Sequence, residues 1–230
     1  MKSHQIAFIR EALDLVERDP RFRWNCEAYG AVHEFLKVAG DGGRDRFVKA
    51  VLDGHIGLSA SYFNLTDLIP GFVHNRIMDE AKAERDALGL SAVCALTADV
   101  NGYSWGFADI LASQGVKHLM SNIHTHHVYY PLDRKQKAFW WESPLGANLL
   151  AWSSDHYMLG NALGIAGTPA FENVLQNGLT GARIDHHQLS IQRIAAYIDS
   201  LRAGGYELPF SPVSVCSYMT NNASPLAEDR

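Results

Sequence analysis

Two aspartates are the residues best placed to do chemistry. Asp99 lies within Ser91–Gly106 (SAVCALTADVNGYSWG), where Ala92 to Leu96 is apolar on both faces, as a strand covered by helices must be. The run ends on Asp99, breaks at Asn101-Gly102, and brings Tyr103 and Trp105 directly after it. Asp155 likewise follows Asn148–Ser154 (NLLAWSS) and precedes His156 and Tyr157. A carboxylate leaving a buried strand either caps the next turn or stands at the strand's carboxyl end, where parallel α/β folds bind ligands. Paired carboxylates framed by aromatics suit sugars. Rings such as Tyr62, Tyr103, Trp105 and Tyr157 pack on pyranose faces or fill the core, while one acid and one nucleophile cleave the glycosidic bond.

The 11 histidines cluster, most densely as His124-Thr125-His126-His127. Imidazoles at 124 and 126 fall on one side of a continued strand and 127 on the other. With Asp99 as an oxygen donor, they make a partial shell for a divalent metal. The alternative is a hydrogen-bonding cluster around substrate, with His126 and His156 as contacts. Asp185-His186-His187 is expected to cap the helix that follows.

These residues need a frame. Helical periodicity marks Met1–Arg18, a stretch through Val32, Phe35, Leu36 and Val38, Phe47–Leu52, the segment ending at Leu88 (capped by Thr66-Asp67), Phe107–Ala112 and Leu189–Leu201. Strand-like runs are Phe22–Ala28, Ile56–Tyr62, Ala92–Asp99, Lys117–Ile123, Asn148–Ser154 and Val213–Met219. Gly40–Gly43 reads as a turn, Val128–Ser143 as an aromatic loop, and Gly160–Gly181 as loop with a short helix. Alternating strands and helices imply parallel pairing, which sets Glu27, Tyr62, Asp99, His124, Asp155 and Asn221 along one edge. The expected fold is α/β, a parallel (β/α) barrel-like domain, incomplete, with residues 1–230 forming one domain.

Composition excludes several classes. The chain of 230 residues is 47% hydrophobic and 20% charged, with a formal charge of −5 and no basic run, which argues against a nucleic-acid partner. No 18-residue apolar run and no leader pattern occur, so neither membrane insertion nor export is expected and the cytoplasm is the default. Cys26, Cys94 and Cys216 each sit in apolar runs and read as reduced core thiols.

At these residues the chain resembles the N-terminal catalytic domain of glycoside hydrolase family 38, the α-mannosidases, over Arg21 to about Pro225. The resemblance lies in Phe22–Glu27 (FRWNCE), Ala98–Ser104 (ADVNGYS), Asn122–His127 (NIHTHH) and Asp155–Asn161 (DHYMLGN). It implies a seven-stranded barrel-like domain of the glycoside hydrolase/deacetylase type. It also implies retaining hydrolysis of α-mannosides, with Asp99 as both nucleophile and ligand of a zinc ion.

The chain departs from the family pattern in three places. The opening His-X-Asp-X-Gly strand and a distal metal-ligand His have no counterpart, and Asn221 stands where the family's acid/base Asp is expected. The zinc site is therefore expected to be incomplete, Asp155 is the remaining acid candidate, and an unpaired sheet edge is expected to favour self-association or a missing partner segment. Two alternatives remain: an incomplete relative that binds carbohydrate or a partner chain, and a metal-dependent sugar deacetylase using Asp99 with His124 and His126.

Overall fold

The computed structural model describes residues 2–64, 68–100, 102–123, 135–165 and 186–215. It divides into two compact units, Met1–His156 and Tyr157–Arg230. The first begins with α1 (Lys2–Arg18), β1 (Trp24–Cys26), α2 (Tyr29–Leu36), α3 (Gly40–Leu52), β2 (Ile56–Leu58) and α4 (Gly71–Ala87). It continues with β3 (Cys94–Val100), α5 (Trp105–Ser113), β4 (His118–Ile123), β5 (Lys137–Glu142) and β6 (Asn148–Ser153). The second holds α6 (Leu159–Leu163) and α7 (His186–Ala203).

The result is an α/β fold with mixed sheets. β1 and β2 form a parallel pair, and a four-stranded sheet has the order β3-β4-β6-β5. Three of its strands are parallel, while β5 runs antiparallel to β6, with Trp140 opposite Leu150. The two sheets meet where the chain runs on past β2. There the Ala60 N–H donates to the Cys94 carbonyl at 2.9 Å. The Ser59 hydroxyl accepts from the Leu96 N–H at 2.9 Å and donates to its carbonyl at 3.2 Å, standing in for a missing stretch of ladder.

Packing explains these elements. Ala95, Leu119, Leu149 and Ala151 turn one face of the larger sheet onto Phe107, Ala108, Ile110 and Leu111 of α5. Ile9 and Leu13 of α1 join Tyr29, Val32, Phe35, Phe47 and Ile56 in a second cluster. α2 is tied to the chain beyond β2, since Tyr29 N–H and Gly30 N–H donate to the carbonyls of Ser61 and Tyr62. A Cβ at Gly30 would stand 2.9 Å from the Tyr62 carbonyl oxygen, so the close approach requires glycine. In the second unit, α6 and α7 are joined by the Ser190 hydroxyl, which donates to the Gly164 carbonyl at 2.9 Å.

Several expectations change. Lys137–Glu142, expected as aromatic loop, is a strand, because Phe139 and Trp141 face α5 while Ala138 and Trp140 face outward. Gly40–Gly43 is the first turn of α3 rather than a turn before it, Phe47 and Ala50 supplying the buried face that outweighs glycine's low helix propensity. β1 and β2 are three-residue strands within longer expected runs. Cys94 is exposed rather than core, since it faces away from α5, whereas Cys26 is buried. Residues 213–215 carry no strand, and the rest of that expected strand, with Cys216, Asn221 and the Thr66-Asp67 cap, lies outside the described residues. Among the described residues no helix is long and apolar enough to cross a membrane.

Candidate active site

The carboxyl edge of the parallel strands is polar where the α5-covered face is apolar. Thr97, Ser121, Asn122, Ser153, Ser154 and Asp155 are all buried there. Asn122 sits in β4 and donates its amide to the Thr97 carbonyl at 3.4 Å. The Ser154 N–H donates to the Ser121 carbonyl at 2.8 Å, extending the ladder past β6.

Asp99 has the most unusual backbone on this edge. β3 and β4 pair in register up to Ala98 opposite Asn122, and then Val100 pairs with Ile123, so Asp99 is the extra residue of a bulge. Its φ is +59°, in the left-handed region that few residues other than glycine enter without support. The residue is exposed.

Glu27, one residue beyond β1, comes to this point. It accepts a hydrogen bond from the Asn64 side-chain amide. The Asn64 carbonyl oxygen accepts from the Ala98 N–H, at 3.4 Å. Burial pushes the Glu27 carboxyl above its ordinary range; the Asn64 amide and the nearby Ala98 backbone oppose the shift and the nearby Asp99 charge adds to it.

Asp155 lies two residues beyond β6, and β4 separates β6 from β3, so the strands leading to the two aspartates run about 9.5 Å apart. One Asp155 oxygen pairs with the Lys135 ammonium at 3.1 Å, and the other accepts from the His156 N–H at 2.7 Å. His156 is half-buried, and Tyr157, also half-buried, opens the second unit.

The aromatics divide. The Tyr103 ring stacks on Phe107 at 5.2 Å, and its hydroxyl accepts from Thr97 and donates to Ser121 at 2.8 Å. Tyr62 packs edge-on to Phe63 with centroids 4.5 Å apart, and also meets His33. Trp105 is 65% exposed. It shares a shallow depression of about 370 Å³ with Glu142, Ser143 and Pro144 at the β5–β6 turn, which antiparallel β5 places at the amino edge of the parallel strands. The fold therefore gathers Glu27, Asn64 and Asp99, holds Asp155 two strands away, and gives Trp105 neighbours from a different part of the sheet.

His124, His126 and His127 lie outside the described residues. Asp99 is the described member of the expected metal pair. Among the described residues no group of three or more His, Cys, Asp or Glu stands together to hold a metal, so these residues do not by themselves compose a zinc shell. The sequence places Glu27 on this edge and Asn122 in the family-like stretch, and assigns no role to either, nor to Asn64 or Lys135. The Asn64 side chain meets Ala98 across 34 positions, which no local pattern announces.

Three comparisons bear on this geometry. No curated protein sequence matches the chain at a significant level. Among solved structures, an α-mannosidase from Enterococcus faecalis V583 aligns with a TM-score of 0.56 and 17% identity, over 93% of this chain and 28% of its own. A protein in glycosyl hydrolase family 38 from Enterococcus faecalis gives 0.52 and 17%, over 93% and 26%. A 4-α-glucanotransferase from Thermococcus litoralis gives 0.51 and 11%, over 90% and 28%. At such identities the likeness is one of fold, and the chain spans little more than a quarter of each of these proteins. The sequence model described as Glycosyl hydrolases family 38 N-terminal domain matches residues 4–203. By that match, which takes in most of its length, the chain belongs to glycosyl hydrolase family 38, as an N-terminal domain.

Proposed function

We propose that this chain is a single α-mannosidase-type domain, barrel-like in plan, that retains configuration at the sugar carbon it attacks. The observation that carries the reading is Asp99, an exposed carboxylate on a left-handed bulge at the carboxyl end of β3, the strand at one side of the four-stranded sheet. In the first step an Asp99 oxygen bonds to the anomeric carbon as the glycosidic C–O bond breaks, and a second carboxylic acid protonates the departing oxygen. In the second step water, deprotonated by that group, displaces Asp99 and regenerates it.

Asp155 is the candidate for the second group. From strands about 9.5 Å apart, both side chains must lean over β4 to reach the 5–5.5 Å separation that retaining chemistry uses. The Lys135 ion pair opposes proton donation by Asp155, so Lys135 must move aside when substrate binds. Tyr62, Tyr103, His126, His156 and Tyr157 are the proposed sugar contacts near Asp99, and Trp105, beside Glu142 at the amino edge, is proposed only for a more distant sugar unit. Asp99 and His124 are the proposed contributors to a divalent-metal site, and no step here is routed through a metal. We place the chain in the cytoplasm and keep self-association as an expectation that sedimentation velocity decides.

One observation favours a second reading, a carbohydrate-binding relative without turnover: Asp155 is held by a lysine rather than poised to give up a proton. The deacetylase alternative depends on His124 and His126, outside the described residues. Hydrolysis of 4-nitrophenyl α-mannoside by the chain and by Asp99→Asn separates the first two. Slow release abolished by the substitution supports the enzyme reading. Mannoside binding with no release in either protein supports the binding relative.

A further inference from the structure

We propose that Asn64 and Glu27 are positioning residues for Asp99, forming a side-chain clamp on the Ala98 N–H that holds the next residue in its left-handed conformation. The inference rests on the reading of Asp99 as the nucleophile, but the clamp has its own observable.

The physical need comes first. β2 ends at Leu58, so beyond Leu96 there is no β2 backbone to pair with the outer edge of β3. Ser59 serves Leu96 through its hydroxyl. The next outward-facing N–H along β3 is that of Ala98, and a buried donor left without an acceptor costs about 1–3 kcal/mol. Asn64 supplies one, its amide oxygen at 3.4 Å. The Asn64 amide nitrogen donates to the Glu27 carboxylate, so Glu27 fixes the orientation of the side chain that holds the strand.

The consequence falls on Asp99. A non-glycine residue in the left-handed region persists only where its surroundings over-determine it, at a cost of about 1–3 kcal/mol. Here the β4 ladder resumes at Val100 on one side, and the clamp fixes Ala98 on the other. Residue 99 must take up the extra length between two anchored points. Removing the clamp frees one anchor, letting Asp99 relax toward extended backbone, which turns its carboxylate toward the other side of the sheet.

The test uses the whole 230-residue chain and two readouts. The first is the Asp99 backbone conformation in solution, from its Cα and Cβ chemical shifts and its HN–Hα coupling. The second is kcat and KM for 4-nitrophenyl α-mannoside. Asn64→Ala and Glu27→Ala are expected to move the Asp99 signals out of the left-handed range. They should lower kcat by about 10-fold to 100-fold, with KM within about twofold, as for a misplaced reacting group. Glu27→Gln, which keeps an acceptor oxygen, should restore most of what Glu27→Ala loses. Left-handed Asp99 signals in Asn64→Ala overturn the clamp, whatever the activity. An Asp99→Asn variant with unchanged turnover overturns the nucleophile reading and leaves the conformational result standing. If an alanine variant does not fold, as thermal unfolding will show, Asn64→Ser, which shortens the side chain but keeps it polar, carries the same conformational prediction.

Discussion

Arg85 is the most exposed to test of all the packing claims. It is 1% accessible, its guanidinium lies 4.9 Å from the Tyr29 ring centroid, and its Nη1 has no hydrogen-bond partner among the described residues. Burial pulls its pKa down, and the adjacent Glu84 carboxylate is taken by His33 at 3.0 Å. Taking such an ion out of water costs several kcal/mol, and a desolvated cation over a tyrosine face returns about 2 kcal/mol. Arg85→Met keeps an unbranched apolar stem in the same space and removes the charge. The net expectation is a gain of about 1–3 kcal/mol, in line with replacing buried ions by hydrophobes. That corresponds to a rise of roughly 2–12 °C in Tm for a chain of this size. Urea unfolding followed by circular dichroism measures it. A loss of more than about 1 kcal/mol, with an unchanged m-value, would refute the reasoning and mean that the cation is compensated after all.

Further outcomes follow from other sites. Leu119→Ala, at a 2% exposed position under α5, should cost about 2–5 kcal/mol by urea unfolding, while leaving the fold's circular dichroism intact. Brief iodoacetamide treatment with peptide mapping should modify Cys94 and spare Cys26, whose thiol is buried and pushed up in pKa; equal labelling of the two would contradict the assigned faces. Because Glu27's carboxyl is raised on folding, the folded chain binds more protons than the unfolded one between the ordinary carboxylate range and the raised one. Stability should therefore fall as pH rises through that window, and Glu27→Gln should flatten that part of the pH profile.

The parts of the fold visible in the sequence are those set by local periodicity. The apolar run before Asp99 announces β3, and the spacing of Phe107, Ile110 and Leu111 announces α5. β5 escaped because its aromatics were read as a loop lining, although their in-and-out alternation was the strand signal. The second half of α3 was legible as Phe47–Leu52, but its start was not, because three glycines argue against a helix and only packing through Phe47 and Ala50 reverses that. Asp99 was found because it follows a buried strand. Its left-handed backbone was not, since the bulge depends on where β4 and Asn64 hold the neighbouring residues. Lys135 beside Asp155 has no sequence signature, as the pair forms only when the chain returns through β5 and β6.

Covalent trapping tests directly whether Asp99 is the nucleophile. A fluorinated mannosyl fluoride carries a leaving group that needs no proton donor, so labelling probes the nucleophile without requiring Asp155 to act. The chain, incubated with this reagent, should gain the mass of one fluoromannosyl group, and peptide mapping should place it on Asp99. A label on Asp155 or Glu27, or no label where the sugar demonstrably binds, would contradict the assignment of Asp99 as the nucleophile.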